Sequence, residues 1–243
     1  MEGVEFEGYI GFENQNIAFS EDMMLVIVLI LLTVFACIFR LNTPLIGKMI
    51  HNINAGERLQ SIFETTEKDS FLYNSFMTFQ ALLLVGIFLS SVTVKYKFII
   101  HPTITTTFIT IGLFLVLFLI YYLFKRILYT IPGIIFMEKS TNKMLLTNYQ
   151  ALFSVWGVAL YIPVLWILLF GINFYSSIIV FIIIYLLFKI ILTLRFIHIF
   201  YRNNTGILFL SLYLCAQEIA PMVFLYQGII FTYNIIEKNN TWQ

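Results

Sequence analysis

A carboxylate lies inside an apolar stretch near the carboxyl end of this chain. The stretch LYLCAQEIAPMVFLYQ, residues 212–227, contains Gln217, Glu218 and, three residues later, Pro221. An ionised acid at bilayer depth costs roughly 3 kcal/mol or more, so such a residue faces a bundle interior, pairs with a base or takes up a proton. Because Pro221 has no N–H, it leaves the carbonyl of Gln217 without its helical donor. The pattern predicts a polar pocket in a kinked helix.

Two polar residues in other apolar stretches are candidate partners of this acid. Lys189 lies in VFIIIYLLFKIILTL and can either pair with the acid or extend toward the membrane surface. Gln80 lies in a further apolar stretch, where a buried amide typically joins neighbouring helices by hydrogen bonds. Structural cross-links and a proton or transport path fit these residues equally well. The sequence thus predicts an intramembrane polar network of Gln80, Lys189, Gln217, Glu218 and Pro221.

The composition indicates that the chain lies in a membrane. Apolar residues make up 60% of the 243 residues and charged residues 11%, and the mean hydropathy is +0.91. This is more apolar surface than the core of a soluble domain buries. We therefore expect an all-α, polytopic membrane helix bundle. The net charge of +1 gives no indication of nucleic-acid binding.

Apolar stretches long enough to cross a bilayer, about 20 residues each, recur along the chain. A shorter apolar piece, residues 127–137, contains Pro132 and Gly133 and either extends the third span or lies in the interface. The spans together form one domain, residues 23–236. They predict six transmembrane helices, at about residues 23–40, 71–92, 106–124, 149–170, 176–197 and 206–231.

Lysine and arginine residues are concentrated on one side of the predicted membrane. Of the 14 such residues, only Lys95, Lys97 and Lys238 fall on the opposite side when the amino end is placed outside. By the positive-inside rule, this distribution predicts that both termini lie outside, on the side of the membrane opposite the cytoplasm. The leader, residues 1–22, is acidic and contains no lysine or arginine. Residues 237–243 form a short periplasmic tail.

Polar groups are also predicted at the cytoplasmic face. Residues 41–70 carry apolar side chains at helical spacing, which predicts short amphipathic helices on the membrane surface. Basic and acidic residues here are candidates for contact with lipid headgroups or with a partner protein. These residues are, in the loop, Glu57 and Arg58 and, near the end of the fifth span, Arg195, His198 and Arg202.

The sequence contains no pattern typical of an active site or a cofactor site. Cys37 and Cys215 lie in apolar stretches without metal-ligand spacing, and the three histidines are dispersed. Nucleophile elbows, phosphate-binding loops and HExxH motifs are missing from the sequence. We therefore expect no catalytic residue, no metal and no cofactor, and a protein that is not an enzyme.

Two sequence segments resemble a known family. They are the pattern YLCxxEIxP, from Tyr213 to Pro221, and the loop segment NAGERLQSIF, residues 54–63, with the spacing between them. In these respects the chain resembles inner-membrane proteins of the Bacteroidota grouped as domain of unknown function 4271. The resemblance covers nearly the whole chain after the first helix. It implies an inner-membrane location and assigns no catalytic residue.

Two functions fit these features. The first is a non-enzymatic scaffold or assembly component for other envelope proteins, which holds partner helices through its loop and polar core. The second is a small proton-coupled transporter or channel that uses Glu218 as its protonatable site. The absence of reaction motifs and of two similar halves favours the first. The expected partners are the lipid bilayer and other inner-membrane or envelope-assembly proteins.

Overall fold

The computed structural model describes residues 15–41, 67–96, 104–136, 139–170, 174–202 and 220–240. Every described residue is helical except Tyr96, Leu160 and Phe170, which confirms the predicted all-α class. The helices are α1 (Gln15–Leu41), α2 (Glu67–Lys95), α3 (Ile104–Phe136), α4 (Lys139–Ala159), α5 (Tyr161–Leu169), α6 (Phe174–Arg202) and α7 (Ala220–Asn240).

Within the described part of the chain, five helical stretches are long and apolar enough to cross a membrane, so the prediction of a multi-pass membrane bundle is confirmed. The fourth stretch combines the end of α4 with α5. The sixth predicted span, residues 206–231, lies partly outside the described residues, and its last part belongs to α7. The predicted amphipathic loop, residues 41–70, lies outside them except for Leu41, which ends α1, and its last four residues, which begin α2. The five stretches are Glu21–Arg40, Tyr73–Lys95, Ile104–Leu128, Tyr149–Leu169 and Tyr175–Leu194.

Helix α3 decides the alternative that the sequence leaves open for residues 127–137. It continues for 33 residues through Pro132 and Gly133 and ends at Phe136. The apolar piece is therefore an extension of the third span rather than a separate interfacial segment. At 1.5 Å per residue, a helix of this length exceeds a hydrocarbon core of about 30 Å, so one end projects beyond it.

Helix α2 is the central helix of the described bundle. It packs against α1, α3, α4 and α5, and 78% of the residues in its most apolar stretch are buried. The corresponding share is 11% for α1 and 17% for α6. Glycine permits a close approach of α4 to α2, since a Cβ added at Gly157 of α4 would lie 2.8 Å from the Cβ of Ala81.

Polar contacts fix the directions of the helices around α2. Lys95 at the end of α2 forms an ion pair with Glu21 at the start of the first span, with 2.7 Å between Nζ and Oε1. Gln150 of α4 donates from Nε2 to the carbonyl of Asn74 and to Oγ1 of Thr78, both at 3.3 Å. Helix α2 is therefore antiparallel to α1, and it starts beside the middle of α4.

The fourth span is interrupted at Leu160, between α4 and α5. Leu160 keeps helical angles, and the bonds from Leu160 N–H to Trp156 and from Val164 N–H to Leu160 continue across the break. Pro163 explains the interruption, because it has no N–H to donate to the carbonyl four residues earlier. The Ser177 hydroxyl of α6 donates to the Pro163 carbonyl at 3.2 Å and ties α5 to the next span.

Helix α7 lies against α3 in the antiparallel direction. The rings of Phe224 and Phe124 are 5.5 Å apart, and four residues further along α7 a Cβ added at Gly228 would lie 2.5 Å from Leu117 Cδ1. Helix α7 therefore packs closely on α3 rather than on the central helix α2.

Candidate functional site

The structure describes part of the predicted polar network. Glu218 and Gln217 lie outside the described residues, as do Glu57 and Arg58 of the loop. Pro221 is the second residue of α7 and is buried. Three residues of the predicted cytoplasmic group belong to the last turns of α6, but their side chains lie outside the description. They are Arg195, His198 and Arg202.

An aromatic cluster fills the space between α3, α4 and α6. Phe153 lies near its centre, with ring centroids 5.0 Å from Tyr122 and 5.3 Å from Trp156. Trp156 contacts α6 through Phe188 at 5.4 Å. Residues of α4 that are four and three apart share one helix face, which is why three of its rings meet the same neighbours. The cluster comprises Tyr122, Tyr149, Phe153, Trp156, Tyr185 and Phe188.

Lys189 lies at one edge of this aromatic cluster. Its side chain is only 8% exposed, and its Nζ is 5.8 Å from the centroid of the Tyr185 ring, one turn earlier in α6. A cation over an aromatic face is attracted by the electron-rich ring. Lys189 is therefore enclosed within the described bundle. Its pairing with Glu218, one of the two interpretations of the sequence, stays a prediction, because Glu218 lies outside the described residues.

Lys125 of α3 is a second buried lysine that the sequence interpretation missed. It is 1% exposed, and its Nζ lies 6.0 Å from the centroid of the Tyr149 ring. The neighbouring Arg126 is exposed. The charge distribution in the sequence predicts that both residues lie in a cytoplasmic segment. The available signal was helical spacing, since Lys125 continues the buried face of α3 that contains Thr107, Ile111, Phe114 and Tyr122.

Gln80 is fully buried near the middle of α2, as the sequence predicts for an intramembrane amide. Among the described residues, neither its Oε1 nor its Nε2 has a hydrogen-bond partner. The amide that joins two helices in the described bundle is instead Gln150, which binds α2 from α4. The predicted role of Gln80 as a clamp to another helix stays a prediction. Within the described residues, the Trp156 Nε1 and the Tyr161 hydroxyl also have no hydrogen-bond partner.

These groups define what the bundle interior can do chemically. Two buried ammonium groups beside aromatic rings can hold an anionic group or donate a proton to one. A buried amide, a phenol and an indole can bind a small polar molecule. Within the described ranges, no three His, Cys, Asp or Glu side chains lie close enough together to hold a metal ion.

Comparison with known proteins gave one positive finding. A family model with the description "Domain of unknown function (DUF4271)" matches residues 24–229, most of the chain. Neither the curated proteins nor the solved structures gave a match.

Proposed function

We propose that this chain, which belongs to the family described as Domain of unknown function (DUF4271), is a non-enzymatic scaffold or assembly component for other envelope proteins. The proposal places it in a bacterial inner membrane, with both termini in the periplasm. The family assignment and the apolar helices support a multi-pass membrane protein. The division of the bundle into an enclosed centre and open outer helices supports the scaffold role.

The outer face of α6 is the observation that carries this proposal. Eight large aliphatic side chains, each at least 45% exposed, follow one another along four turns of the helix. A continuous apolar face of this kind is suited to packing against a transmembrane helix of another protein, and lipid covers whatever part no partner occupies. The residues are Ile179, Ile182, Ile183, Leu186, Leu187, Ile190, Ile191 and Leu194.

The close packing around α2 gives such a scaffold a fixed centre. Gly157 and Ala81 bring α4 and α2 together, and Gln150 adds hydrogen bonds between the same two helices. Helices that interdigitate this closely resist sliding past one another, because their side chains would have to overlap. A rigid centre holds the outer faces of α1 and α6 at constant spacing, as a platform for partners needs.

Photo-cross-linking in cells tests the scaffold role. A benzophenone amino acid at Ile183 or Leu187, which are 50% and 53% exposed, should give discrete adducts with another membrane protein. The matched control is Leu192 of the same helix, which is 1% exposed and should give no intermolecular adduct. Failure to form a protein adduct at any outward position of α1 or α6 would reject the scaffold role.

The loop is tested separately, since it is the predicted cytoplasmic contact. Charge reversal at Glu57 and Arg58 together should remove co-purifying proteins without lowering the amount of inserted protein. Unchanged co-purification would identify the loop as a surface connector only.

Reporter fusions test the proposed orientation. Fusions after Asn54 and after Lys143 should report the cytoplasm, and a fusion at Gln243 should report the periplasm. A cytoplasmic carboxyl terminus would reject the six-span orientation.

The two buried lysines favour a second candidate, a small proton-coupled transporter or channel. In this hypothesis Glu218 is the protonatable site, whereas a structural pair of Glu218 with Lys189 is the competing role. Glu218→Gln and Lys189→Met should each lower thermal stability in detergent, and the double substitution should recover much of the loss if the two are coupled. A transporter additionally requires that Glu218→Gln abolish proton movement into liposomes containing the purified protein. Absence of proton movement with the unaltered chain would reject this candidate.

A further inference from the structure

Three polar side chains at one level of the bundle have atoms without a hydrogen-bond partner among the described residues. They are the Gln80 amide of α2, the Tyr161 hydroxyl of α5 and the Trp156 indole N–H of α4. All three residues are buried, with exposures of 0%, 5% and 7%. Trp156 belongs to the aromatic cluster, but neither that cluster nor the two lysines explains why the Gln80 amide and the Tyr161 hydroxyl are enclosed.

Packing contacts place Gln80 and Tyr161 in the same layer. Gly157, one turn before Tyr161, contacts Ala81, the residue after Gln80. From the other side, the Tyr161 ring lies 6.2 Å from Phe35 of α1. Phe35 packs against the buried pair Tyr73 and Met77, and Met77 lies one turn before Gln80 in α2. Gln80 and Tyr161 therefore lie between these two contacts, at the junction of α1, α2 and α5.

The chemistry of these groups specifies what they bind. The Gln80 amide offers two donors and an acceptor, and the Tyr161 hydroxyl offers a donor and an acceptor. Leaving such groups unsatisfied in an apolar interior is unfavourable, whereas an internal water is held by two to four polar partners. A charged ligand would need a countercharge here, and the two side chains supply none.

We propose that Gln80 and Tyr161 form a binding site for internal water between α1, α2 and α5. The site creates a hydrated layer near the middle of the most enclosed helix. It does not depend on the scaffold role or on the two lysines. Trp156 belongs to the neighbouring helix α4, and its indole N–H is likewise without a partner among the described residues.

Hydroxyl-radical footprinting with synchrotron X-rays tests the proposal on the full chain in detergent micelles. Radicals formed from a bound internal water modify the side chain that contacts it, even where bulk solvent does not reach. Tyr122 is the matched reference, since it is also 5% exposed but lies between the rings of Tyr149 and Phe153. Tyr161 should be modified several-fold faster than Tyr122. Equal or slower modification of Tyr161 would overturn the proposal. That result is expected if Gln80 and Tyr161 form a hydrogen bond to each other and hold no water.

Substitution of Gln80 assigns the water to its binding group. Gln80→Leu, or Gln80→Met if the first variant does not fold, should reduce the modification of Tyr161 several-fold and leave Tyr122 unchanged in the same sample. Modification of Tyr161 that persists at its original rate in a folded variant would show that Gln80 does not hold the water. The measurement on the unaltered chain stands whether or not either variant folds.

Discussion

Helices α2 and α6 are both apolar enough to cross a membrane, but they occupy opposite environments. The apolar stretch of α6 has a mean hydropathy of 2.8 and is 17% buried, whereas that of α2 has a mean hydropathy of 1.9 and is 78% buried. Helix α1 resembles α6, since its apolar stretch has a mean hydropathy of 2.8 and is 11% buried. The least apolar of the five stretches is thus the most enclosed.

There is a physical reason why the least apolar stretch is the most buried. In water, apolar side chains are driven to the inside of a protein, but lipid hydrocarbon accepts them as readily as a protein core does. Polar and small groups are what a membrane bundle must enclose. Helix α2 carries such groups along its length, including Gln80, Ser90, Ser91 and Thr93, and all four are buried.

The largest effect should come from an enclosed charge. Lys125→Met should lower the free energy of unfolding by roughly 3–5 kcal/mol, because an enclosed ammonium requires a balancing group, which the substitution would leave uncompensated. Arg126→Met, at the neighbouring exposed position, should change stability little. Thermal unfolding of both variants in the same detergent measures the difference. Equal melting temperatures would show that burial in the bundle does not distinguish the two residues.

The next effect compares the two helices directly. Leu84→Ala in α2 removes a side chain that is 0% exposed, and the resulting cavity should cost about 2–5 kcal/mol. Leu187→Ala in α6 removes one that is 53% exposed and should cost far less, since lipid or detergent fills the space. A stability loss at Leu187 as large as that at Leu84 would mean that another protein surface covers α6 in the purified sample.

A smaller effect should come from the approach of α4 to α2. The added Cβ in Gly157→Ala meets Ala81, so a helix must shift at a cost of about 1–3 kcal/mol. Gly112→Ala in α3 is the control, because no atom lies within 4 Å of an added Cβ there. Alanine at that helical position should be neutral or stabilising. Equal melting temperatures of Gly157→Ala and Gly112→Ala would contradict the close contact between Gly157 and Ala81.

The smallest effect should come from the ion pair between α1 and α2. Both side chains are 20% exposed, so Lys95→Met should cost only about 0.2–1 kcal/mol. The loss relative to the unaltered chain should shrink as salt is added, because ions screen the pair. A loss that is insensitive to salt would indicate that packing at the end of α2, rather than charge, is responsible.

Much of the fold is predictable from the sequence, because the length and hydropathy of a stretch determine whether it can cross a bilayer. The burial of Gln80 is predictable because a polar side chain in a spanning helix avoids lipid, whereas the sequence leaves both burial and extension to the surface open for Lys189. Lys125 was missed because it was assigned to a segment by its position near a predicted helix end, whereas its helix continues to Phe136. The contact of Gly157 with Ala81 could not be predicted, since helical spacing shows which face is covered but not which helix covers it.

The break at Leu160 gives one transmembrane span two sets of neighbours. Helix α4 packs on α2, α3 and α6, while α5 packs on α1, α2 and α6. Substitutions in the two halves are therefore constrained by different parts of the chain. Across related sequences, changes before Leu160 should co-vary with changes in α3, and changes after it with changes in α1. The two halves of this span would then share co-variation with α2 and α6 but differ at Leu160 in their co-variation with α3 and α1.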